Sequence, residues 1–169
     1  MPMPRPVAVI IILACALLGA SHIAAGQAKY GVTVRAVDAA ALANVRTYTW
    51  TVGRPAFNKD IDALIIAAVD RELTARGLTK LATGQGDVAV TYGSLSRTDV
   101  DLKNTPKNAT PADIPVGTLI VNLTGAGSKK QVFSVRLDKP FDWAPSTYEA
   151  TVNAAVAAMF EKYPAPSKR

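Results

Sequence analysis

The sequence predicts an α+β domain, a mainly antiparallel sheet with two helices packed on one face. Three observations predict it. Several short segments alternate apolar and polar residues with the two-residue period of half-buried strands. Two longer segments repeat apolar residues every three or four positions, the period of an amphipathic helix. The helical segments are separated by runs of strands rather than alternating singly with them, which is the order of an α+β chain.

The first strand is expected at Tyr30-Gly31-Val32-Thr33-Val34-Arg35-Ala36-Val37, closed by Asp38 and an alanine-rich helical turn at 39–43. Thr47-Tyr48-Thr49-Trp50-Thr51-Val52 alternates fully, which places Tyr48, Trp50 and Val52 on a core face and three threonines opposite. Gly53 and Pro55 end that strand. Residues 58–76 give the clearest helix: Asn58 suits the N-cap, Asp60 and Asp62 the positive end, Arg71 and Arg76 the negative end, and Gly77 the stop. Ile61, Leu64, Ile65, Ala68, Val69 and Leu73 form its apolar stripe, leaving Lys59, Asp62 and Arg76 on the wet side.

Next, Asp87-Val88-Ala89-Val90-Thr91-Tyr92 reads as a strand with Val88, Val90 and Tyr92 inward, continuing irregularly to Asp101. The polar, proline-bearing stretch 103–115 is expected as a long loop, a kind that is usually mobile or functional. Residues 119–123 and 131–137 form a hairpin turning at Gly125, Gly127 and Ser128, with Lys129 and Lys130 on that end. Ser146-Thr147-Tyr148-Glu149 has the pattern of a capping box opening a last helix. Its buried stripe is Val152, Ala155, Val156, Met159, Phe160 and Tyr163, before Pro164.

The amino terminus has a different character. Arg5 precedes the apolar run 7–18, and small residues follow up to Ala28, the layout of a secretory signal peptide. The expected organisation is signal peptide 1–28, a single domain 29–164 and a disordered tail 165–169. The run is shorter than the about 20 apolar residues of a spanning helix, although an uncleaved anchor is an alternative. Ala24 with Gly26, or Gly26 with Ala28, supplies the small residues for cleavage, so the mature chain would begin at Gln27 or Lys29. A rival reading takes Ile12-Leu13-Ala14-Cys15 as a lipoprotein processing site with Cys15 lipidated, for which Leu13 is a poor fit. The expected location is the periplasm or the outer-membrane periphery, free or anchored through Cys15.

Composition excludes much chemistry from the exported domain. The single histidine, His22, and the single cysteine, Cys15, both lie in the leader. A mature domain without them has no histidine-dependent triad, no cysteine-histidine zinc site and no disulfide. Without Arg5, 18 basic residues face 13 acidic ones, a net charge of about +5. That excess favours contact with anionic surfaces, with solubility as the simpler account.

No motif demands catalysis. Asp99-Val100-Asp101 lacks the further ligands and glycine of a calcium loop. Gly84-Gln85-Gly86-Asp87 precedes a strand instead of opening a helix, so it reads as a turn and not a phosphate loop. Asp60 and Asp62 are accounted for by the helix dipole, and Asp138 and Asp142 by a loop around Pro140, so neither pair requires glycosidase chemistry. Phe141 and Trp143, close to Lys139, either form an aromatic and cationic surface or pack the loop against the sheet. Sequons stand at Asn108 and Asn122, the second in mid-strand. Lys103, Lys107, Lys129 and Lys130 are the candidate contacts to an anionic envelope surface, lipid headgroups or lipopolysaccharide, or to an unidentified envelope protein. No metal, cofactor or nucleic acid is expected.

The chain resembles the bacterial envelope family known as domain of unknown function 4136 (DUF4136). The resemblance rests on Thr47-Tyr48-Thr49-Trp50; on Asn58, Ile61-Asp62, Ala68-Val69-Asp70, Leu73 and Arg76-Gly77; on Asp87-Val88-Ala89-Val90 with Tyr92; and on Gly117-Thr118-Leu119-Ile120-Val121. It implies an exported protein, often a lipoprotein, with an α+β domain and no assigned catalytic residues. Phe133 stands where the resemblance leads one to expect tryptophan, Gly125 near a common aspartate, and Cys15 in a context unlike that of lipidated members. The expected function is a non-enzymatic binding or scaffolding module of the cell envelope. The alternatives are a lipid-anchored structural lipoprotein and a carboxylate- or lysine-dependent hydrolase working near loop 103–116.

Overall fold

Alternating side chains and capped helices build a mixed sheet joined to helices through one apolar core. The computed structural model describes residues 30–102, 104–140 and 144–164. Residues 1–29, with the expected signal peptide, Cys15 and His22, together with Lys103, the segment Phe141, Asp142 and Trp143, and residues 165–169 lie outside the described residues. In chain order the elements are β1 (Gly31–Val37), α1 (Ala39–Leu42), β2 (Thr47–Trp50), α2 (Lys59–Ala75), β3 (Thr79–Lys80), β4 (Val88–Val100), β5 (Asp113–Gly125), β6 (Gln131–Pro140) and α3 (Tyr148–Phe160), the last entered through a 3-10 turn at Pro145–Thr147.

The strand order is β1-β6-β5-β4-β2-β3. The ladders β1·β6, β6·β5 and β5·β4 are antiparallel, whereas β4·β2 and β2·β3 are parallel. The sheet is thus mixed, with three antiparallel ladders and two parallel ones. The cause is α2: a helix between β2 and β3 carries the chain back before it re-enters the sheet, so the new strand runs in the same direction.

Register aligns the core. Val90 stands opposite Leu123, which stands opposite Phe133, and Tyr92, Val121 and Val135 form the adjacent row. Ala68, Val69 and Leu73 of α2 and Val156, Met159 and Phe160 of α3 join these rows in one buried cluster. Each fully buried large apolar side chain contributes about 1.5–3 kcal/mol. Phe133, the residue standing in for tryptophan, is fully buried with its ring 5.6 Å from Phe160 and 5.2 Å from Tyr163.

The ends of α2 follow the sequence signals. Asn58 accepts hydrogen bonds from the Asp60 and Ile61 amides, and Gly77, at φ +83°, takes the left-handed conformation that closes the helix. Other expectations fail for tertiary reasons. Val52 is 96% exposed, because β2 ends at Trp50 and Gly53 passes so close to the Tyr92 carbonyl that a Cβ would lie 2.2 Å from that oxygen. Asp62 is partly buried and accepts from the Tyr92 hydroxyl, and Arg76 reaches the Phe160 carbonyl at 2.6 Å, so neither is merely a wet-side residue. The expected long loop shrinks to 101–112, because β5 pairs with β4 from Asp113 onward. Pro115 stands opposite Thr98 of β4, one residue before the described pairing with β6 begins at Val116. The capping box does not form: Thr147 makes no side-chain cap to α3, and its hydroxyl donates to the Ala144 carbonyl.

Candidate functional site

Helices α2 and α3 run side by side in the same direction, since Arg71 reaches Asn153 at 3.1 Å and Arg76 reaches the end of α3. Both amino termini therefore lie at one end of the domain. Beneath the carboxyl-terminal halves, the sheet supplies Val90, Leu123 and Phe133, which fill the space. Beneath the amino-terminal halves, the same face supplies the row Ser94, Leu119 and Leu137 and then the row Ser96, Gly117 and Lys139. Two serines and a glycine cannot reach the helices, and a cavity of about 300 Å³ opens there.

Ile61 and Ile65 of α2, Val152 and Ala155 of α3, and Leu119 and Leu137 of the sheet form its apolar walls. Polar atoms come from Asn58, Ser94, Ser96, Thr151 and Tyr148, and charge from Lys139 alone among the described lining residues. Phe57, which also lines it, is fully exposed, and Leu95 is 41% exposed. A volume of 300 Å³ is at the lower end of the roughly 300–1,000 Å³ of small-molecule sites, and such sites are mostly apolar with a few polar groups.

The opposite face of the sheet carries an ion cluster. Asp138 does not sit in a loop; it lies in β6, 9% exposed, and accepts from Arg136 at 2.6 and 2.8 Å, from Arg97 at 2.6 Å and from the Thr118 hydroxyl at 2.6 Å. The Arg136 bonds above all hold its carboxyl far below the usual carboxylate range. Asp99, half of the Asp99-Asp101 pair, accepts from Arg97 at 3.1 Å and from the Tyr30 hydroxyl at 3.0 Å. Asp87, in the glycine turn, accepts from the Arg46 and Thr47 amides and the Thr47 hydroxyl, and these bonds lower its pKa. Among the described residues no group of three or more His, Cys, Asp or Glu is arranged to hold a metal ion.

A further carboxylate ties the motif residues together. Asp70 accepts from the Tyr48 hydroxyl at 2.7 Å, the Trp50 indole at 2.8 Å and Lys80 at 2.8 Å. Burial first, and Asp70 second, raise the Tyr48 pKa, so its hydroxyl stays a donor.

Of the candidate lysines, Lys129 and Lys130 are exposed together at the β5–β6 turn. Lys107 is exposed in the 101–112 connection, at the other end of β5, which spans roughly 40 Å at about 3.3 Å per residue. The structure therefore does not join Lys107 to Lys129 and Lys130 in one patch. Sequence reasoning missed the cavity. Its signal, small residues at 94, 96 and 117 on an inward face, has meaning only once the strand register is known.

The fold and the site define the class: an α+β domain with a ligand-sized apolar cavity between its helix pair and its sheet. The chain belongs to the family described as Domain of unknown function (DUF4136), whose sequence profile matches residues 32–165. The PelC dodecamer from Paraburkholderia phytofirmans has a similar fold, with a TM-score of 0.51 at 12% identity over 76% of this chain and 92% of that chain. A PDZ domain protein from Parabacteroides distasonis is similar with a TM-score of 0.50 at 11% identity over 80% of this chain and 35% of that chain. The comparison with curated proteins finds no match. No helix among the described residues is long and apolar enough to cross a membrane.

Proposed function

We propose that the protein is an exported, non-enzymatic binding or scaffolding module of the bacterial cell envelope, with the cavity at the amino-terminal ends of α2 and α3 as its ligand site. The cavity lining carries this reading. Its described residues offer apolar walls, hydroxyls and one lysine, without a carboxylate, histidine or cysteine to act as base or nucleophile. In this reading residues 1–28 are a signal peptide cut between Ala24 and Lys29, and 29–164 is the single working domain. Lipidation at Cys15 is the alternative, and the intact mass of the mature protein separates the two. Helices α2 and α3 cover one face of a sheet whose larger part is antiparallel. The other face and the loops with Lys103, Lys107, Lys129 and Lys130 are left for an envelope protein or an anionic surface. No cofactor enters the account.

Native mass spectrometry after incubation with a total envelope-lipid extract tests the proposal. One small molecule retained per chain and recovered unchanged supports it, whereas no retention, or release of a chemically altered product, contradicts it. A second reading, assembly of several copies, draws on the edge strand β1, where Val34 and Val37 are exposed, and on the dodecameric state of PelC. Light scattering on the mature protein distinguishes a monomer from a ring.

A further inference from the structure

We infer that the cavity takes one acyl chain bearing an anionic head group, with the chain between α2 and α3 and the head group at Lys139. The inference rests on the cavity being the ligand site and names the chemistry of what enters it. The walls at Ile61, Ile65, Leu119, Leu137 and Val152 offer no hydrogen bond from their side chains, so the buried part of the ligand is hydrocarbon. A site of about 300 Å³ lies at the lower end of small-molecule cavities. That suits a single acyl chain.

The head group follows from charge. The Lys139 side chain forms no hydrogen bond or ion pair among the described residues, and no carboxylate among the described lining residues competes for it. Its neighbours in the β5 and β4 ladders are the small residues Gly117 and, one strand further, Ser96. The amino termini of α2 and α3 lie at the same end but already carry Asp60, Asp62 and Glu149 in their first turns, so the attraction for an anion rests on Lys139. Fully exposed Phe57 extends the apolar wall outward, covering the part of a chain that leaves the cavity.

Calorimetric titration of the delipidated mature protein with dodecanoate, dodecan-1-ol and dodecyltrimethylammonium, each below its micelle concentration, tests the inference. Dodecanoate is expected to bind one per chain, about fivefold tighter than the alcohol, the upper range for one exposed ion pair. The cationic amphiphile is expected to be weaker still. Lys139→Ala should remove the preference for the acid and leave the alcohol within twofold. Val152→Phe, or Thr151→Phe if the first does not fold, should weaken both acid and alcohol at least tenfold. Equal binding of acid and alcohol, unchanged by Lys139→Ala, overturns the anionic head group while leaving the cavity as the ligand site. Absence of binding by all three probes, or binding that survives the filling substitution, overturns both.

Discussion

Replacing Asp70 separates a geometric role from a purely electrostatic one. Its Oδ1 accepts from both the Tyr48 hydroxyl and the Trp50 indole, while Oδ2 pairs with Lys80, whose side chain is 47% exposed. Asp70→Ala leaves the hydroxyl of buried Tyr48 without an acceptor, at about 1–3 kcal/mol, and removes the indole bond, worth about 1 kcal/mol. The exposed Lys80 pair adds only about 0.2–1 kcal/mol. The total is roughly 2–5 kcal/mol, a large share of the about 5–15 kcal/mol that stabilises a small domain. Asp70→Asn keeps an oxygen where both aromatic donors point and loses mainly the Lys80 pair, so it should cost about 1 kcal/mol. Thermal unfolding followed by tryptophan fluorescence and circular dichroism reads both values. A melting point lowered by about 8–20 °C for alanine and by about 3–5 °C for asparagine is expected. Equal losses for the two variants, or an unchanged alanine variant, would refute the reasoning that the two aromatic donors need this oxygen.

Gly53→Ala should destabilise by about 1–3 kcal/mol because its Cβ meets the Tyr92 carbonyl, while the neighbouring Val52→Ser should stay within about 0.5 kcal/mol; paired urea midpoints check both. The depressed pKa of Asp138 contributes stability that is fully present above the unfolded value near about 3.9 and is lost as pH falls below it toward the folded value. Urea midpoints measured from about pH 7 down to pH 2.5 should therefore fall less steeply at the acid end in Asp138→Asn than in the natural protein. If Lys129 and Lys130 meet an anionic surface, association with vesicles containing phosphatidylglycerol should weaken as salt rises from about 0.1 to 1 M, over which the Debye length falls from about 10 to 3 Å. The double change to glutamate should weaken it further, and indifference to both salt and charge reversal removes the electrostatic contact.

Features encoded in neighbouring residues were legible in the sequence. Asn58 and Gly77 carry their chemistry locally, and the alternation through Tyr48, Val88, Val90 and Phe133 places those side chains inward wherever the strands pair. Features that depend on distant partners were not legible. The direction of β4 beside β2 follows from how α2 returns the chain, and the two-residue strand β3 exists only because β2 offers it a free edge. Val52 continues the alternation of β2 but leaves the sheet, since Gly53 must pass close to Tyr92. Asp62, Asp70 and Arg76 look like solvated helix charges until Tyr92, Tyr48, Trp50 and the Phe160 carbonyl arrive from elsewhere in the chain. The cavity belongs to the same group. Ser94, Ser96 and Gly117 are unremarkable strand residues until register lines them up beneath the first turns of two helices.

Chemical-shift mapping by two-dimensional NMR of the mature protein, titrated with dodecanoate, tests the binding-module account most directly. The account predicts saturable shifts concentrated at Ile61, Ser94, Gly117, Leu137 and Val152, with the β5–β6 turn at Lys129 and Lys130 unmoved. Shifts confined to that turn or to the opposite face around Arg97 and Asp138, or no saturable shifts at all, would contradict it.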